Sequence, residues 1–340
     1  MNETIANVFR AMCDAAPVSD VAILPDDGAH RVFRVTAGDA RYILERARRS
    51  VIYAPEQETR NAELLSAHVD TIPEGRIRLT FPETRLYAET QGLWRLYRMP
   101  TVTSKTPEAL GMALGAWHAA FDAFDSSRIT PTCDSPLDVA AAFERLLTLS
   151  TRDPSGRLEE IVPELDRLMG SKRDAIALTG DRLRALCLAS SLAIPAILDG
   201  EFPWLPGEPA IDRVGEETVV AFDPASVIVG QVAFDFGAAC LGMRSAEDLS
   251  AFSDAFLTRA AQLLTEAECA SLAFAPRAVA LFSAVRHCSD ALDGRTRHGR
   301  DPLTECRRML RLAELYAEQT ETIREIVERG LKRYRSANGL

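Results

Sequence analysis

No lysine precedes Lys105 in this chain of 340 residues. Any task in the N-terminal third that needs a cation must therefore fall to arginine, which is longer and not equivalent to lysine. The seven cysteines are scattered, with no CxxC pair. That spacing argues against a thiol-ligated metal or a disulfide framework, and for small buried hydrophobes in a reducing compartment. Five histidines show no HxH or HExxH spacing, which removes the familiar histidine zinc motifs. No apolar run approaches the roughly 20 residues of a membrane span. The first residues also lack the basic-then-apolar pattern of a signal peptide, so a cytoplasmic protein with no membrane partner is expected. A net charge of −10 has the wrong sign for a nucleic-acid partner. Repeats and low-complexity tracts are absent.

What is present reads as two textures. The chain is 47% hydrophobic, enough for a sizeable core divided into two lobes. Residues 1–20 suggest a short amphipathic helix with Ile5, Val8, Phe9 and Met12 on one face. From Val21 to Tyr97 short β-rich runs predominate: Val21–Leu24, Val32–Val35, Tyr42–Leu44, Ile77–Leu79, Leu86–Tyr87 and Trp94–Tyr97, with turns at Gly28 and Gly38-Asp39. One helix interrupts them from Pro55 to Val69, with Pro55 in its first turn and Glu56 and Glu58 near its positive end. From Thr106 onward helical spacing takes over, beginning with Leu110, Leu114, Trp117, His118 and Phe121. Thr304 to about Arg335 reads as one long helix. The expected fold class is α+β, two-lobed: a mainly antiparallel sheet lobe over 1–100, a hinge near Arg98–Thr101, and a helical lobe over 101–340.

The segment from Ile197 to Cys240 has the layout of a phosphotransferase hairpin. Such a hairpin needs an Asp to orient the substrate hydroxyl, an Asn a few residues later for Mg²⁺, and an Asp on the next strand bridging Mg²⁺ to the phosphates. The apolar run Thr218–Phe222 closes on Asp223, a clear candidate for the last of these. Upstream stand only Asp199-Gly200-Glu201 and Gly207-Glu208.

Further motifs carry a resemblance. Tyr42-Ile43-Leu44-Glu45-Arg46 is similar to a YILQR strand and Leu93-Trp94-Arg95-Leu96-Tyr97 to a WRxY strand. Phe234-Asp235-Phe236-Gly237-Ala238, followed by Ala246-Glu247-Asp248, is similar to DFGD…AAED. Ser289-Asp290-Ala291-Leu292-Asp293-Gly294 is similar to TDYLxGD. In this order the chain resembles the aminoglycoside phosphotransferase/choline kinase superfamily, most of all its N-acetylhexosamine 1-kinase branch, from about Arg34 to the C-terminal helix. The resemblance implies a protein-kinase-like fold, ATP and Mg²⁺ as cofactors, and a small polar substrate such as a sugar or amino sugar. ATP contacts would come from Arg46, in place of the usual strand lysine, and from Arg98 and Met99 at the hinge. Glu56, Glu58 and Glu63 are candidate partners for Arg46. The alternative is that Arg46 belongs to a solvated basic cluster with Arg48 and Arg49. Asp235 matches a structural aspartate of the superfamily, not a metal ligand.

The loop before Asp223 aligns in two ways. With a two-residue insertion, Glu201 stands in for the catalytic Asp. Without a gap, Pro203 falls on that Asp and Glu208 on the metal Asn. Neither restores both residues, and Ala225 replaces a second strand carboxylate. Pro203, Pro206 and Pro209 stiffen the loop and remove backbone donors. A glutamate displaces the carboxylate by roughly 1 Å, an error that can cost about a hundredfold in rate. Glu208 and Asp223, with Glu201 near, are the candidate Mg²⁺ ligands, since that ion asks only for oxygen donors in octahedral array; an acidic surface loop is the alternative. Arg286, Asp290, Asp293 and Arg307 are the candidate substrate residues, suited to bidentate contacts with hydroxyl-rich ligands; helix-surface salt bridges are the competing reading. Three functional readings follow. One is a degenerate kinase fold binding a ligand or protein partner with weak or lost phosphotransfer. A second is an active small-molecule kinase using a rearranged acidic site. The third is a different chemistry or a purely structural role.

Overall fold

Alternating apolar positions in the first hundred residues assemble one antiparallel sheet. The computed structural model describes residues 2–13, 17–23, 30–47, 55–72, 77–80, 84–89, 92–98, 106–130, 139–177, 186–188, 210–214, 217–221, 228–243, 245–295 and 301–339. The elements of the first part are α1 (Asn2–Met12), β1 (Val18–Ile23), β2 (His30–Ala37), β3 (Ala40–Ala47), α2 (Pro55–Val69), β4 (Ile77–Thr80), β5 (Thr84–Glu89) and β6 (Gly92–Arg98). Five strands form a sheet in the order β1-β2-β3-β6-β5, each neighbour antiparallel. Gly38, at φ 58°, supplies the positive dihedral needed at the first position of the two-residue β2–β3 turn.

Because side chains alternate along a strand, each strand offers one apolar row to a common face. Phe33, Val35, Ala37, Tyr42, Leu44, Trp94 and Leu96 make that face, and Ile5, Val8, Phe9 and Met12 of α1 cover it. The amphipathic helix read from the sequence is thus the lid of this small core. Phe9 meets Tyr42 edge-on at 5.0 Å between ring centroids.

The remainder is mostly helical: α3 (Pro107–Phe121), α4 (Val139–Arg152), α5 (Leu158–Ala177), then the short strands β7 (Leu186–Leu188), β8 (Ala210–Val214), β9 (Glu217–Ala221) and β10 (Ile228–Gly230). After these come α6 (Val232–Cys240), α7 (Ala246–Ala260), α8 (Glu266–Ser271), α9 (Ala275–Leu292), α10 (Pro302–Glu318) and α11 (Thr320–Asn338). Thr106 caps α3 by accepting from the Ala109 amide, with Pro107 in the first turn, as its Thr-Pro sequence predicts. The expected two-lobed α+β architecture is present: a small N-terminal antiparallel sheet and a mainly helical body.

Two details differ from expectation. The predicted single helix from Thr304 to about Arg335 is two helices, α10 and α11, meeting at Gln319 with φ −91° and ψ 2°. There the Thr320 hydroxyl donates back to the Tyr316 carbonyl at 2.9 Å, while the Tyr316 hydroxyl donates to the buried carbonyl of Cys240 at 2.5 Å. Side-chain bonds to backbone compete with a continuous helical ladder. The second difference concerns α2 and β4, which join the helical body. Leu65 of α2 packs in the large helical core, and β4 pairs in parallel with β9, which pairs antiparallel with β8.

Backbone contact, not side-chain interdigitation, sets the α3–α7 crossing. A β-carbon at Gly111 would lie 2.3 Å from the Phe252 carbonyl oxygen, and one at Gly115 would lie 2.7 Å from that of Phe256. Gly111→Val therefore forces the helices apart, with an expected loss of ~1–3 kcal/mol or more. Gly170→Ala in α5, with nothing within 4 Å of the added carbon, should leave stability unchanged or slightly raised. Melting temperatures of the two variants check this; equal temperatures would contradict the crossing described.

Candidate functional site

The segment read from the sequence as a hairpin contributes three short strands, β8, β9 and β10, to the helical body. β7 pairs antiparallel with β10, joining Leu188 to Ile228, while β8 and β9 form a hairpin. Residues 189–209 connect β7 to β8 and carry Glu201 and Glu208. Asp223 follows β9 by two positions. Glu201, Glu208 and Asp223 all lie outside the described residues, as does Met99. Arg98 ends β6, its backbone opposite Tyr42 of β3. Among the described residues no three His, Cys, Asp or Glu side chains gather as a metal would need. No described helix is long and apolar enough to cross a membrane.

Asp235, matched in the sequence to a structural aspartate, is engaged here with a histidine of α3. It is fully buried on α6, and its Oδ2 lies 3.0 Å from Nε2 of His118 on α3, itself 4% exposed. The pair ties the helix that follows β10 to the helix that opens the helical body. In the sequence His118 is one position among apolar ones at helical spacing. A lone polar side chain on such a buried face was the signal of a partner, but not of which partner.

Arg46 lies on the α1-covered face of the sheet. It shares that face with Tyr42 and Leu44 by strand alternation, and it pairs across the ladder with Trp94. Its guanidinium sits 5.5 Å from the centroid of the Trp94 ring, a cation–π arrangement. Of its candidate partners, Glu63 of α2 is exposed; the side chains of Glu56 and Glu58 lie outside the described residues.

The candidate substrate residues stand at the end of α9 and on α10. Arg286, Asp290 and Asp293 follow one another at helical intervals. The helix stops in a Schellman arrangement: the Arg295 amide donates to the Asp290 carbonyl at 2.9 Å, the Gly294 amide to the Ala291 carbonyl at 3.3 Å, and Gly294 takes φ 68°. The Leu-Asp-Gly sequence encodes this stop. Asp290 is 2% exposed. Asp293 Oδ2 pairs with Nε of Arg295 at 2.7 Å and lies 3.9 Å from a terminal nitrogen of Arg145 on α4. Arg286 lies 5.9 Å from the Phe282 ring centroid. Arg307 donates from Nε to Oε1 of Glu164 on α5 at 2.8 Å. Two of the four candidates, Asp293 and Arg307, are thus engaged in ion pairs that bridge helices.

No protein-family model matches the sequence, and no curated protein matches it. Solved structures do. The chain is similar to a spectinomycin phosphotransferase solved with ADP and spectinomycin, at TM-score 0.58 and 8% identity over 93% of this chain and 98% of that one. It is similar to the choline kinase LicA of Streptococcus pneumoniae, at TM-score 0.57 and 11% identity over 93% and 99%. A Plasmodium vivax ethanolamine kinase matches at TM-score 0.55 and 11% identity over 88% and 84%. At such identities the likeness is one of fold: the chain has the protein-kinase-like fold of aminoglycoside phosphotransferases and choline kinases.

Glu164 is 6% exposed, and its Oε2 has no hydrogen-bond partner among the described residues. Arg307→Met would strand this carboxylate, so a loss of ~1–3 kcal/mol is expected, with part of it restored in the Arg307→Met/Glu164→Gln double variant. Denaturant melts of the single and double variants measure this. No loss in the single variant would show that Arg307 is free of a helix-bridging role and available to a ligand.

Proposed function

We propose that this chain is a kinase-fold protein that binds a small polar molecule or a protein partner and has weak or lost ATP-dependent phosphotransfer. The observation that carries the reading is the composition of residues 189–209, the connection between β7 and β8. It contains no Asn, Lys, Arg or His, and its only acids are Asp199, Glu201 and Glu208. Phosphoryl transfer rests almost wholly on positioning and electrostatic stabilisation of the transferring group. A connecting segment without an amide ligand or a cation lacks the usual parts for both.

The position of Arg46 supports the same reading. A guanidinium seated on Trp94 is packed as a structural cation, whereas a phosphate-gripping residue needs its fork free for the ligand. Structures of the same fold support a small polar ligand. The spectinomycin phosphotransferase, the choline kinase and the ethanolamine kinase are named for small polar compounds. Arg286, Asp290, Asp293 and Arg307 are the candidate contacts to a sugar or amino sugar, with Asp293 and Arg307 also holding ion pairs between helices. ADP in the spectinomycin phosphotransferase structure makes ATP the nucleotide to consider, held between a lobe reaching to Pro100 and the helical lobe beyond. Glu208 and Asp223 would supply oxygen ligands to Mg²⁺ if it binds.

The test is product formation from ATP or GTP across amino sugars, sugars and aminoglycosides. Turnover should be absent or far below the roughly 1–100 s⁻¹ range of protein kinases. Turnover within that range, lost in Glu201→Gln and Asp223→Asn, would replace this reading with an active kinase using a rearranged acidic site.

A further inference from the structure

We propose that Asn338, the last residue of α11, is a site of spontaneous modification at which the side-chain amide is converted to aspartate or isoaspartate. The Gly339 backbone nitrogen attacks Cγ of Asn338, and the new C–N bond closes a cyclic imide. The Cγ–Nδ2 bond breaks, and ammonia leaves with the proton of the Gly339 amide. Water then opens the imide, giving aspartate by attack at the side-chain carbonyl and isoaspartate by attack at the backbone carbonyl. Neither residue belongs to the kinase-type candidates, so the proposal stands apart from the reading above.

The residue that supplies the nitrogen decides how easily the ring closes. A side chain there crowds the approach, and glycine has none. The chain has four asparagines, and their successors are Glu3, Val8, Ala62 and Gly339. Only Asn338 precedes a glycine. Asn7 lies within α1 and is followed by a β-branched residue. Asn61 is buried, with both ends of its amide bonded to the Thr130 backbone.

Two hydrogen bonds hold the reacting groups apart in the closed helix end. The Gly339 amide donates to the Arg335 carbonyl, and the Asn338 side-chain amide donates to the Tyr334 carbonyl at 2.8 Å. Nothing else secures that turn: residues 335–339 are all exposed, and a β-carbon at Gly339 would meet no atom within 4 Å. Helix ends of this kind fray at little cost. Fraying frees the backbone of Asn338 and lets the Gly339 nitrogen reach Cγ, so the folded chain converts, only more slowly than the unfolded one. Conversion then alters the helix end. A carboxylate has no proton to give the Tyr334 carbonyl, and a negative charge is unfavourable at a helix C-terminus. Isoaspartate also lengthens the backbone by a methylene. The last turn therefore unwinds as far as the ties that fasten α11 to the α7 side, Arg333 with Asp254 and Tyr334 with Gln262.

Peptide mapping of the full chain, incubated at neutral pH both folded and in urea, tests this. Aspartate and isoaspartate are expected at position 338 before any change at the other three asparagines, with the folded sample several-fold slower than the one in urea. Asn338→Gln should abolish the new acidic species seen on ion exchange. Hydrogen exchange over residues 335–339 should be faster in the converted chain than in the fresh one. Intact Asn338 in the folded chain long after the urea sample has converted, or earlier conversion at Asn2, Asn7 or Asn61, overturns the proposal. So does an acidic species that persists in Asn338→Gln.

Discussion

Gly111 and Gly115 let α3 lie against the backbone of α7, and much of the helical body is arranged around that contact. With the two helices this close, Phe252 and Phe256 of α7 sit beside Phe236 of α6, at 5.2 and 5.5 Å between ring centroids. The same register brings His118 to Asp235, a buried polar pair whose members would be costly to leave unmatched. On its other side α3 holds α2. His68 hydrogen-bonds through Nε2 to the Ala120 carbonyl at 2.9 Å, and its ring lies between Phe121 and Phe124. The Asn61 side chain donates to the Thr130 carbonyl at 2.9 Å and accepts from its amide at 3.1 Å.

This arrangement bears on function through α2. In active protein kinases the helix after the third strand carries the glutamate that pairs with the phosphate-gripping cation, and its position controls activity. Here that helix is fastened to the helical body by a buried amide and an imidazole. The half-buried guanidinium of Arg46 on the third strand lies 5.5 Å from the ring centroid of Trp94, a member of the sheet's own core.

Local order was largely legible in the sequence, and long-range partnership was not. Strand alternation located the sheet, and Pro55 and Thr106-Pro107 marked helix starts, because each of these signals acts within a few residues. The parallel pairing of β4 with β9 joins residues far apart in the chain, and no local pattern distinguishes β4 from the strands of the other sheet. His118 and Asp235 stand 117 positions apart; the buried helix face announced a polar partner without naming it. The single long C-terminal helix was misread because Gln319 and Thr320 break it without proline or glycine. At the candidate site the difficulty was of another kind. Residues 189–209 hold few of the side chains from which motifs are built, so two alignments of Glu201 and Glu208 fit equally. The arginines and aspartates of α9 and α10 read the same whether they bridge helices or meet a ligand.

Under the proposed function, metal-dependent phosphotransfer is weak or lost while the kinase-like fold persists. This reading is tested most directly by the melting temperature of the full chain with ATP, measured with and without Mg²⁺. Ligand binding to the folded state raises this temperature by mass action. The same melting temperature with ATP is expected whether or not Mg²⁺ is present. A rise of several degrees that requires ATP and Mg²⁺ together would contradict it.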